Sequence, residues 1–107
     1  MKFLYITALL SFFSSFAYAE TIAQVKKDAK HKDIVTITGK LTQQTKKNKY
    51  ILTDETGEIK IKIKDYIWQQ INVTKPEFDK TYIFTVKVEK EMLEKDEFEV
   101  TRIAIVK

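Results

Sequence analysis

From Glu58 to Lys64 the chain alternates without a break, with Ile59, Ile61 and Ile63 set against Lys60, Lys62 and Lys64. A two-residue period sends the isoleucines to one face of a strand and the lysines to the other, so this stretch is half-buried sheet. The same period governs most of what surrounds it. Val35, Ile37, Gly39 and Leu41 share a face against Thr36, Thr38 and Lys40; Tyr82, Phe84, Val86 and Val88 share one against Ile83, Thr85, Lys87 and Glu89. Tyr50 to Thr53 and Phe98 to Val106 read as two further strands. Gly39 falls inside the first strand, where glycine marks a bulge or a sharp bend.

The connections follow from turn chemistry. Gln43 to Asn48 is polar and reads as the first hairpin loop, and Asp54-Glu55-Thr56-Gly57 is a turn in which Gly57 is free to take positive φ. Two stretches change to helical spacing. Thr21 caps a short helix carrying Ile22, Val25 and Ala29 on one face, and Asp65 is the expected N-cap of a second with Ile67, Trp68 and Ile71. The loop from Asn72 to Asp79 holds Pro76, and Met92 to Asp96 forms a charged hairpin tip. Five strands with a helix between the third and fourth, after a short N-terminal helix, are the layout of an all-β OB-fold barrel. A five-stranded sandwich or open sheet satisfies the same periodicity.

The start of the chain points to secretion. Lys2, the apolar run Phe3 to Phe16 and Ala17-Tyr18-Ala19 before Glu20 form the expected signal peptide, residues 1–19. The run is short and interrupted by Ser11, Ser14 and Ser15, so no membrane span is expected once the leader is removed. The expected domain is 20–107, acting in the periplasm. With no cysteine, neither a lipoprotein anchor nor a disulfide is available, and a closed sheet suits a small secreted domain that must hold itself together without them. A formal charge of +4 suits anionic partners such as lipid headgroups, wall polymers or nucleic acid, without selecting one. Arg102 is the one arginine, so anion contacts would be the point-like, salt-screened contacts of lysine.

Val35-Thr36-Ile37-Thr38-Gly39-Lys40-Leu41, followed by Tyr50-Ile51-Leu52-Thr53-Asp54-Glu55-Thr56-Gly57-Glu58-Ile59-Lys60-Ile61-Lys62-Ile63, resembles the bacterial periplasmic OB-fold (BOF) proteins of the YgiW/YdeI type. Thr21-Ile22-Ala23-Gln24-Val25, the Trp68 helix and Val86-Lys87-Val88-Glu89-Lys90-Glu91 fit the same pattern in the same order. The resemblance implies a small periplasmic OB domain linked to envelope stress tolerance, with no agreed enzymatic activity and no settled ligand. The chain departs from the pattern on the fourth strand, where Thr85-Val86-Lys87-Val88 lacks an expected glycine.

The candidate site is the lysine face. Lys60, Lys62 and Lys64 project at about 6.6–7 Å steps, near the repeat of a phosphate backbone, and Lys46, Lys47 and Lys49 extend the patch from the neighbouring strand. The second and third strands are where OB domains bind oligomers. The plainer reading, and the one favoured by the commonness of lysine on exposed sheet, is a solvated face that discourages edge pairing. Nucleic-acid binding is disfavoured, because Tyr50 is the sole aromatic on these strands and single strands need stacking platforms.

Other candidates reduce to ordinary roles. Trp68, Tyr66 and Tyr82 could line a sugar-stacking pocket, but core filling is the stronger expectation. Asp54, Glu55 and Glu58 match no calcium loop, and Asp54 is expected to stabilise its turn. Glu91, Glu94, Asp96 and Glu97 form an acidic tip that reads as solvated. His31, between Lys30 and Lys32, is the single histidine. Without cysteine it leaves zinc sites and nucleophilic triads short of parts, so no cofactor, metal or catalytic set is expected. The expected partner is an anionic envelope component. The alternative is a structural or chaperone-like protein acting through a protein partner.

Overall fold

The computed structural model describes residues 19–90 and 96–106. The expected leader up to Tyr18, and Glu91 and Glu94 of the expected acidic tip, lie outside the described residues. In chain order the elements are α1 (Ile22–Asp28), β1 (Ile34–Lys46), β2 (Lys49–Asp54), β3 (Gly57–Lys62), α2 (Asp65–Gln70), β4 (Thr81–Glu89) and β5 (Glu97–Ile105). The strands close into one barrel in the order β1-β2-β3-β5-β4. Every contact in it is antiparallel except the parallel β3–β5 seam, which pairs Lys62 with Glu99.

β1 serves both halves of the barrel. Its Ile34–Lys40 stretch pairs with β4, and Lys40–Lys46 pairs with β2. Gly39 stands where the strand changes partners, as a mid-strand glycine predicts. A Cβ there would lie 2.6 Å from the Thr53 carbonyl oxygen and 3.0 Å from Leu52 Cδ1, so β1 and β2 approach too closely for any side chain.

Alternation along the strands fills one core. Ile37, Leu41, Leu52, Ile61, Phe84 and Val86 are fully buried, joined by Ile22 and Val25 from α1 and by Ile67 and Trp68 from α2. Trp68 stands edge-on to Tyr50 and Tyr82, with ring centroids at 6.1 and 5.6 Å, and Tyr82 contacts Phe84 at 5.7 Å. Trp68 and Tyr82 are therefore core residues, whereas Tyr66 is exposed. Burial, the largest influence, and the Asp65 carboxylate push the Tyr50 hydroxyl up, against the lowering effect of the Trp68 side chain. The approach of these two side chains falls short of hydrogen-bond geometry, which leaves the buried Trp68 Nε1 without an acceptor among the described residues.

Three local expectations need correction. The first hairpin loop is not Gln43 to Asn48: β1 continues to Lys46, and Lys47 and Asn48 alone make the turn, with Asn48 at φ 66°. β3 ends at Lys62, so Lys64 lies beyond the strand, at the N-cap position of α2. Asp65 falls in the first helical turn, and α2 has no side-chain cap. On β4, which lacks the glycine of the family pattern, the irregularity is supplied by β5. The β4–β5 register shifts between Thr85 and Val86, and the extra residue, Thr101, donates its hydroxyl to the Thr85 carbonyl at 3.3 Å.

Candidate functional site

The lysine face forms because β2 and β3 pair in register. Lys49 stands opposite Lys62 and Ile51 opposite Lys60, while Tyr50 and Ile61 meet on the core side. Lys46 pairs with Lys49 across the β1–β2 hairpin, and Lys47 occupies its turn. The β3–β5 seam divides these lysines into two groups. Lys62 Nζ lies 3.8 Å from Glu97 Oε1, and Lys64 Nζ lies 3.4 Å from Glu99 Oε2. Lys46, Lys47, Lys49 and Lys60 have no carboxylate within ion-pairing distance among the described residues. The unneutralised charge thus sits on the hairpin and the middle of β3. Glu97, expected in a solvated tip, is a β5 residue whose carboxylate reaches diagonally to Lys62.

Asp54 does more than stabilise its turn. Its Oδ1 accepts from Thr56 N at 2.7 Å, from Thr56 Oγ1 at 2.6 Å and from Gly57 N at 3.2 Å. Its Oδ2 reaches across to α1 and accepts from Ile22 N at 2.8 Å, while Thr56 Oγ1 accepts from Ala23 N at 3.0 Å. Thr21 completes a capping box: its hydroxyl accepts from Gln24 N, and Gln24 Oε1 accepts from Thr21 N. The opening N–H groups of α1 are thus satisfied by the β2–β3 turn and by Thr21. Partial burial acts to raise the Asp54 carboxyl, but the hydrogen bonds from Thr56, Ile22 and Gly57 outweigh it and hold the group below the ordinary carboxylate range. The Asp-x-Thr-Gly turn is a latch for the N-terminal helix.

Above that latch lies an open cleft of about 590 Å³, lined by Thr38, Lys40, Thr53, Thr56 and Thr81 together with Glu20. It sits at the Asp54 end of β2, roughly 14 Å along the strand from Lys49. The periodicity hides it, since threonine at outward strand positions is ordinary. His31 also has a structural role. Its Nδ1 accepts from Lys90 N at 3.0 Å, beside the Lys32 N to Val88 O and Val88 N to Asp33 O bonds that continue the β1–β4 pairing. Among the described residues no three His, Asp or Glu side chains come together as a metal site. No helix among them is long and apolar enough to cross a membrane.

Comparison with known proteins agrees with this geometry. The family described as bacterial OB fold (BOF) protein matches residues 11–105. An uncharacterized protein of Haemophilus influenzae is 40% identical over 70 residues, which is 65% of this chain and 55% of that protein, so the chain matches just over half of its relative's length. The solved structure of the hypothetical protein ygiW from E. coli superposes with a TM-score of 0.72 at 21% identity, covering 83% of this chain and 90% of that one. At that identity the superposition establishes the fold.

Proposed function

The chain belongs to the bacterial OB fold family, and from that membership we propose that it is a non-catalytic binding protein of the periplasm that takes an anionic envelope component on its lysine face. The reading includes removal of residues 1–19 on export and a role in envelope stress tolerance. The observation that carries it is the set of lysines with no ion-pair partner among the described residues, Lys46, Lys47, Lys49 and Lys60, on the β1–β2 hairpin and on β3. Lys46 faces Lys49, and Lys49 faces Lys62. Like charges directly opposite each other destabilise a sheet. A bound polyanion would turn that repulsion into attraction.

Replacing Lys60, Lys62 and Lys64 together with Glu is expected to abolish binding of wall fragments or lipopolysaccharide headgroups while the folded circular-dichroism spectrum is retained. Binding at wild-type strength by the triple variant would remove the face from consideration. The rival reading, an interface with a protein partner, is separated by salt. Lysine contacts weaken steeply as ionic strength rises, and an apolar interface does not.

A further inference from the structure

One row of paired positions runs most of the way around the barrel: Lys46 faces Lys49, Lys49 faces Lys62, Lys62 faces Glu99, and Glu99 faces Lys87. Partners in neighbouring strands lie about 4.5–5.5 Å apart and point the same way. Glu99 is thus the one acid in a row of four lysines. Its carboxylate turns to Lys64 at 3.4 Å, and Glu97, two residues earlier on the same strand, takes Lys62 at 3.8 Å.

We infer that Glu97 and Glu99 act as an internal anion on this face and decide which ligands use it; the inference rests on the reading that the face binds an anion. A ligand group reaching Lys62 or Lys64 must displace a carboxylate already there. A singly charged ligand exchanges one exposed ion pair for another and gains almost nothing. A chain of closely repeated negative groups does better, because it also reaches Lys49 and Lys60, which no carboxylate among the described residues occupies. The two acids therefore restrict the face to oligo-anions, with the free lysines as the first contact and the paired lysines as the second. Single carboxylates and isolated phosphate groups are refused. Specificity of this kind comes from an opposing charge built into the site.

The test uses the purified protein at low salt, with a short linear polyphosphate and inorganic phosphate as probes, measured by titration calorimetry. The variants are Glu97→Gln with Glu99→Gln, which keeps side-chain shape, and Lys49→Glu with Lys60→Glu. Polyphosphate is expected to bind the glutamine variant about tenfold more tightly than wild type, with the gain shrinking as salt is raised. Inorganic phosphate should bind wild type negligibly and the glutamine variant measurably. Tighter polyphosphate binding by the glutamine variant supports the inference even if wild-type binding is too weak to measure. Affinity unchanged within twofold in the glutamine variant, with binding lost in the Lys49/Lys60 variant, overturns the role of the two acids and leaves the lysine face standing. No binding by wild type or by the glutamine variant overturns both.

Discussion

Replacing Asp54 with Ala removes the acceptor of four hydrogen bonds at once: Ile22 N, Thr56 N, Thr56 Oγ1 and Gly57 N. Loss of a helix-capping side chain costs about 0.5–2 kcal/mol, and a hydrogen bond to a charged acceptor contributes about 1.5–3 kcal/mol net. The groups are only partly buried, so water replaces some partners, and the sum falls to about 2–4 kcal/mol. That is a large share of the stability of so small a domain. Because α1 brings Ile22 and Val25 into the core, the loss should appear in global unfolding as well as in helix fraying. The assay is urea denaturation followed by Trp68 fluorescence, with hydrogen exchange at the Ile22 and Ala23 amides as the local readout. Asp54→Asn keeps one good acceptor and should fall between wild type and Asp54→Ala. The pH dependence follows from the direction of the shift. A carboxyl held below its unfolded value contributes stability that is present above the ordinary carboxylate range, about pH 4, and lost as pH falls through the folded value. The gap between wild type and Asp54→Ala should therefore be full at neutral pH and close in strong acid. A loss under about 0.5 kcal/mol at neutral pH, with Ile22 protection unchanged, would refute the latch.

Further outcomes follow from the same geometry. Gly39→Ala puts a methyl 2.6 Å from the Thr53 carbonyl oxygen and should cost about 2–3 kcal/mol in thermal or chemical unfolding. Phe84→Ala removes a fully buried ring that packs against Tyr82 and should cost about 3–5 kcal/mol by the same measure. His31→Ala removes the acceptor of the Lys90 amide; that amide should lose exchange protection with global stability changed by less than about 1 kcal/mol. The proposed removal of residues 1–19 predicts that mass spectrometry of the mature protein finds Glu20 at the N-terminus.

Strand identity was legible wherever one face is buried. Ile59-Lys60-Ile61-Lys62 and Tyr82 to Val88 each carry a full alternation that burial reproduces residue by residue. The far end of β1 was not legible, because Gln43 to Lys46 are exposed on both sides and give no period to read. The alternation carries Lys64 onto the strand because Ile63 remains fully buried after the ladder has ended at Lys62. The alternation follows burial, and burial outlasts the hydrogen bonds. The lysine face itself was legible from spacing, but its neutralisation by Glu97 and Glu99 was not. Those contacts exist only because barrel closure brings β5 beside β3. The role of Asp54 was half visible. Its bonds to Thr56 and Gly57 are local, while the bond to Ile22 joins residues 32 positions apart.

The decisive experiment is an amide NMR titration of the purified protein with wall fragments, lipopolysaccharide headgroups and a short DNA strand, each at two salt concentrations. The proposed function predicts shift changes concentrated at Lys46, Lys47, Lys49 and Lys60, spreading to Lys62, Lys64, Glu97 and Glu99 as the ligand saturates, and weakened by added salt. Shifts confined to the threonine-lined cleft at Thr38, Thr53 and Thr81, or a spectrum indifferent to all three ligands, would contradict it.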